Sequence, residues 1–140
     1  MRKYLTQKFF LIALITVIAG CSTIDVFNQR AYEQAVNIKV EAVSLMDNAS
    51  ESFGNYEEQV NRLKVEAEKA YEYAKGRPQN EESTKQWAIM VDPGENMLFG
   101  FLKRWKEEDK LGRAFIDASK KLISDGFDAI IELESGKRKQ

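Results

Sequence analysis

A single thiol, Cys21, and the absence of histidine bound the chemistry open to this chain. Without imidazole there is no His-ligated metal site, no histidine general base and no Ser-His-Asp or Cys-His nucleophile. Carboxylates, Lys, Tyr, Ser and Thr remain. Glu107, Glu108 and Asp109 are consecutive, which is not the alternating spacing of a calcium loop, so they read as a solvated helix end. Asp92 and Glu95 flank Pro93-Gly94 and read as turn chemistry. Tyr71 and Tyr73, two apart on a helix, face different ways and cannot share a site. Paired carboxylates for glycoside cleavage depend on a separation in space that the sequence does not give. The expectation is a non-enzyme with no metal and no cofactor, an envelope-modifying enzyme being the outlying reading.

One stretch has a sharper alternative. On a helical wheel Met97, Leu98, Phe101, Leu102 and Trp105 share an arc of roughly 140°, with Lys103, Arg104 and Lys106 off it. An apolar-aromatic face with a basic flank describes a helix at a membrane surface or in a partner's groove. The same residues describe a core helix whose lysines reach out to solvent.

The chain start decides more. Arg2, Lys3 and Lys8 precede an uncharged apolar run, FFLIALITVIA, at 9–19. About 20 apolar residues are needed to cross a bilayer, so the run is too short to span one. A basic start, a short apolar core and small residues at its end form a secretory signal peptide. Ile18-Ala19-Gly20-Cys21 then resembles the lipobox of bacterial lipoproteins. The resemblance covers residues 1–22 alone. It implies removal of residues 1–20, acylation of Cys21 by fatty acids such as palmitate, and a lipid-anchored place in the cell envelope. Ser22 stands where aspartate marks inner-membrane retention in many Gram-negative bacteria. In such a source it implies the inner leaflet of the outer membrane.

Composition fits one mature domain, 21–140. The signal carries off three basic and no acidic residues, leaving 18 Lys+Arg against 22 Asp+Glu, a net of −4. That balance gives no global case for nucleic-acid binding. With Cys21 acylated there is no second cysteine for a disulfide, so stability rests on packing.

Periodicity supplies the elements. Ile24, Phe27, Ala31, Ala35, Ile38, Ala42, Leu45 and Ala49 fall on one helix face, predicting a helix over about 24–50, roughly 40 Å long. NASESFGN at 48–55 is a turn, with Asn55 and Glu58 placed as N-cap and capping-box acid. Phe53, Tyr56, Val60, Leu63, Ala67, Ala70 and Ala74 form a heptad stripe that Gly76 ends at C′ and Pro78 bars from continuing. The stripe suits an intramolecular hairpin or an intermolecular coiled coil. Ser83 with Gln86 is placed to cap a short helix through Met90, and Asp92-Pro93-Gly94 to form a type II turn. Residues 87–102 read as helix, with a β-hairpin as the alternative. From about 113 to 134, Phe115, Ala118, Leu122, Ala129 and Leu133 make one stripe, and Ile116, Ile123, Phe127 and Ile130 a second. Together they predict a wide buried face. Lys137-Arg138-Lys139 reads as a basic tail at a helix C-terminus.

The expected fold is all-α, a small bundle of three long helices plus one or two short ones in up-down order. The expected function is a non-enzymatic interaction or scaffold module, held to the membrane by lipid and meeting another envelope protein. The alternative is a binder of an apolar ligand or peptide lined by Trp87, Met90, Met97, Phe99, Phe101 and Trp105.

Overall fold

The computed structural model describes residues 26–137. The signal segment, Cys21 and residues 138–140 of the basic tail lie outside the described residues. Within them the chain is all-α, with no strand. The helices are α1 Gln29–Met46, α2 Glu57–Lys75, α3 Glu81–Met90, α4 Leu98–Glu108 and α5 Arg113–Ser135, and a 3-10 turn, Phe53–Asn55, precedes α2. Residues 87–102 form no hairpin, because a 3.6-residue period puts Trp87 and Met90, then Leu98, Phe101, Leu102 and Trp105, into the core.

Every core position of the α2 stripe behaves as its spacing predicts: Val60, Leu63, Ala67, Ala70 and Ala74 are buried. α1 packs on α2 and α5, and α3 packs on α2 and α5. Lys39 pairs with Asp128 and Asp47 with Lys120, so α1 and α5 run in opposite directions. Asn28 at the start of α1 donates to the Tyr73 hydroxyl near the end of α2 at 2.9 Å, which sets that pair antiparallel too. Trp87 meets Phe127 edge-on at 6.0 Å and ties α3 to α5. A buried Leu, Ile or Phe side chain contributes about 1.5–3 kcal/mol, so Leu63, Leu98, Leu102, Ile116, Ile123, Phe127 and Ile130 carry most of this packing.

Several element ends differ from the sequence expectation, and each difference has a local cause. α1 begins at Gln29, not Ile24, because Asn28 is extended and its side chain accepts from the Ala31 N–H at 3.0 Å. At 18 residues α1 is about 27 Å long. Asn55 is not the cap of α2. The Phe53 N–H donates across the fold to the Asp109 carbonyl at 2.9 Å, and residues 52–56 close as a 3-10 turn instead. Gly76 is right-handed at φ −78°, and the left-handed residue of that loop is Gln79 at φ 55°. Ser83 caps nothing, since α3 begins at Glu81 and Ser83 is buried. The turn at Asp92 is not type II, which needs a left-handed residue at Gly94. No described glycine has positive φ, and the turn closes through Glu95 N–H to the Asp92 carbonyl at 3.2 Å. On α5 the stripe of Ile116, Ile123, Phe127 and Ile130 is buried, whereas Ala118 and Leu122 of the other stripe are exposed. Phe115, Ala129 and Leu133 of that flank are half-buried, and Phe115 stacks on Phe101 at 6.0 Å.

Two glycines admit close approaches. A Cβ on Gly100 would stand 1.8 Å from the Glu95 carbonyl oxygen, so α4 starts flush against the preceding turn. On α5, Gly126 lies against the Met97 methyl and the Met90 sulfur.

Candidate functional site

The residues singled out at 97–106 divide cleanly. Leu98, Phe101, Leu102 and Trp105 are buried and Met97 is half-buried, so the apolar arc of α4 faces the core. Lys103, Arg104 and Lys106 are exposed and pair with Glu107, Glu108 and Glu57. The outer face of α4 is thus an ion-paired surface. The six residues considered as a ligand lining are packed in the same way. Phe101 lines a surface cleft of about 220 Å³, which it shares with Gly100, Arg104, Phe115, Ala118 and Leu122. A shallower groove of about 500 Å³ runs between α1 and α2 past Val40, Glu41, Ser44, Tyr56 and Gln59.

The remaining candidates are structural in their surroundings. Asp109 is held at φ 64°, ψ −39°, and the Lys110 N–H returns to the Glu108 carbonyl at 2.8 Å, which makes a γ-turn centred on a non-glycine residue. Its carboxylate accepts from Ser52 Oγ at 2.7 Å and from the Phe53 N–H at 3.1 Å. Trp105 Nε1 donates to the Glu51 and Asp109 carbonyls. The pole farthest from Val26 is therefore cross-braced. Tyr71 lies half-buried against the core, while Tyr73 turns to Asn28 and Arg30. Asp92 accepts from the Gly94 N–H at 2.7 Å. Among the described residues no three His, Cys, Asp or Glu side chains gather as a metal site, and no helix is long and apolar enough to cross a membrane.

The most connected polar cluster among the described residues lies at the opposite pole, near Val26, and the sequence reading takes none of its members for a functional residue: Ser83 reads as a helix cap and Lys137 as the start of a basic tail. Glu134, 1% exposed, ends the buried stripe of α5. Its Oε1 accepts from Lys137 Nζ at 2.7 Å and its Oε2 from Arg77 Nη1 at 2.9 Å. Lys137 also donates to Ser83 Oγ at 3.1 Å and to Asn80 Oδ1. Asn80 Nδ2 in turn reaches the Ala74 carbonyl at 2.8 Å. The second amino group of Arg77 donates to the Val26 carbonyl at 3.1 Å. Burial pushes the Glu134 carboxyl up. Hydrogen bonds from Lys137, Arg77 and Ser83, with the nearby ammonium, outweigh burial and hold it below its ordinary value. Lys137 is accordingly a buried side chain and not the first residue of a free basic tail. With both carboxylate oxygens engaged, the cluster is built to hold chain segments together. A sequence signal existed: Glu134 continues the stripe 116, 123, 127, 130 at helical spacing, an acid where an apolar residue belongs.

Comparison with protein-family models, with curated proteins and with solved structures finds no match for this chain.

Proposed function

We propose that the protein is an envelope lipoprotein. Its signal is removed at Gly20, Cys21 is acylated, and the helical domain acts as a non-enzymatic interaction or scaffold module. We also take the three longer helices, α1, α2 and α5, as an up-down bundle with α3 and α4 as shorter additions. The antiparallel contacts of α1 with α2 and of α1 with α5 support that arrangement.

The observation that carries the reading is Ile18-Ala19-Gly20-Cys21 closing an 11-residue apolar run behind a basic start. Two or more acyl chains anchor a protein stably, where one does so marginally. The geometry of the domain supports a close tether. Val26, five residues after Cys21 in the sequence, lies at the pole that holds Arg77, Asn80 and Glu134. The cross-braced pole around Ser52, Phe53 and Asp109 then points away from the lipid. A partner in the same membrane meets the Val26 pole, and a partner beyond it meets the Ser52 pole.

Photocrosslinking residues at Arg30 and Ser52 test this orientation in cells. Lipid and same-membrane adducts are expected from Arg30, and soluble or opposite-membrane adducts from Ser52. Lipid adducts from Ser52 with none from Arg30 would overturn it.

A further inference from the structure

Phe115, Ala118 and Leu122 of α5 have the spacing of a buried face, yet Phe115 is half-buried, Ala118 is exposed and Leu122 is 49% exposed. They form one wall of the cleft of about 220 Å³, with Phe101 and Arg104 of α4 on the other side and Asn96 and Ser119 also lining it. We propose that this cleft binds the C-terminal residue of a partner protein. It takes a large apolar side chain against Phe101, Phe115 and Leu122, and the terminal carboxylate on Arg104. The proposal gives the interaction module a partner chemistry and rests on that reading, but not on the signal or on acylation of Cys21.

The walls are set by packing already in place. Phe101, the least exposed side chain of the cleft, stacks on Phe115 with the ring planes 3° apart. Gly100 leaves room for the Glu95 carbonyl, so the 92–96 turn lies against α4 and brings Asn96 to the cleft. The Arg104 guanidinium lies over the Phe115 ring at 4.2 Å, and its Nε donates to Glu108 Oε1 at 2.7 Å. Ring and carboxylate together hold the guanidinium at the edge of the apolar wall. Among the described residues neither Nη group of Arg104 is hydrogen-bonded. Those two groups can take a carboxylate bidentately. The Arg104–Glu108 pair is about half exposed and contributes little, so sharing Arg104 with a second carboxylate costs little.

Size and chemistry together select the occupant. Pockets for whole small ligands run to about 300–1,000 Å³, and this cleft is nearer the size of one large side chain. An apolar wall beside a fixed guanidinium suits an apolar group a few bonds from a carboxylate. A chain end with a large apolar last residue presents that pair, and capture of a terminal carboxylate is a recurring mode of peptide recognition. The Asn96 and Ser119 side chains make no hydrogen bond among the described residues. They supply a donor and an acceptor for the last peptide group, which a free carboxylic acid lacks.

The test is a titration of the purified mature protein, followed by backbone amide chemical shifts, with three probes. These are N-acetyl-alanyl-phenylalanine, its C-terminal amide, and hydrocinnamate, which has the ring and carboxylate without a peptide group. The acid peptide should shift the amides of Gly100, Ala118, Ser119 and Leu122, with a Kd of about a millimolar for so small a ligand. It should bind about fivefold tighter than its amide, the scale of an exposed ion pair. It should bind about threefold tighter than hydrocinnamate, the scale of a peptide hydrogen bond. Arg104→Gln should make acid and amide equal while the amide still binds. Ala118→Trp, at an exposed position, should fill the cleft and abolish the shifts. If Ala118→Trp does not fold, Arg104→Gln decides. No shift at these amides up to about 10 mM acid peptide overturns the site. Equal affinity of acid and amide, or an acid preference that survives Arg104→Gln, overturns the role of Arg104. Hydrocinnamate binding as tightly as the peptide overturns the chain end as occupant in favour of a small carboxylic acid. Cys21→Ser protein, which cannot be acylated on sulfur, should titrate identically, so failure of the anchor and failure of the cleft are read apart.

Discussion

Gly100 and Gly126 are both helical glycines, but an added methyl group would meet different neighbours. At Gly100 it meets backbone, the Glu95 carbonyl oxygen at 1.8 Å, which moves only if the whole 92–96 turn moves. At Gly126 it meets the Met97 methyl at 2.4 Å and the Met90 sulfur at 3.3 Å, the far ends of two flexible side chains. Alanine gains about 1 kcal/mol over glycine inside a helix. Overpacking against backbone costs about 1–3 kcal/mol. With a 1.8 Å approach to backbone placing it at the upper end of that cost, Gly100→Ala should therefore lower stability to urea by about 2 kcal/mol net, and Gly126→Ala should change it by less than about 1 kcal/mol. Equal effects at the two positions would contradict this packing. Glu134 makes a prediction in pH. Its folded pKa lies below its unfolded value, so its contribution is present above the ordinary carboxylate range. It is lost as pH falls through the lowered folded value. Glu134→Gln should cost about 3 kcal/mol at pH 7 by leaving buried cations unpaired. In urea titrations that difference should shrink as pH drops toward 3. A difference constant with pH would mean the carboxylate is not charged in the fold.

Among the elements, α5 separates what spacing predicts from what it leaves open. Leu122 and Ile123 are neighbours in the sequence and both belong to apolar stripes, yet Leu122 is 49% exposed and Ile123 is fully buried. Ile123→Ala should cost about 2–4 kcal/mol, and Leu122→Ala should stay within about 0.5 kcal/mol. Thermal or urea denaturation separates them, and the reverse order would place α5 a fraction of a turn from where it is described. The helical elements and the core stripe of α2 were legible because a 3.6-residue period needs no knowledge of the neighbours. Their ends were not. The start of α2 is set by Asp109 reaching Phe53 from more than fifty residues away, and Ser83 is bonded to Lys137 just past the end of α5. Which stripe of α5 faces inward depends likewise on where α1 and α3 lie against it. The amphipathic arc at 97–106 was read correctly as one face, but an arc looks the same whether core or partner covers it. The cluster on Glu134 was missed because charged residues at 77, 134 and 137 read singly as loop, helix end and tail.

At the scale of the whole molecule the described residues form a packed all-α body, with Arg77 bonded to the Val26 carbonyl at one pole and the other pole cross-braced through Asp109 and Trp105. Its larger surface grooves are lined by mixed polar and aliphatic side chains, and its ionisable groups are mostly paired with one another. Such a body suits a protein whose role follows from where it is held, and that makes Cys21 the residue on which the account turns. The most direct measurement is incorporation of a labelled fatty acid in cells making the wild-type chain or Cys21→Ser, followed by membrane fractionation. The account predicts label on the wild type alone, with Cys21→Ser unlabelled and either uncleaved or released from its membrane site. Equal labelling of the two chains, or none on the wild type, would contradict it.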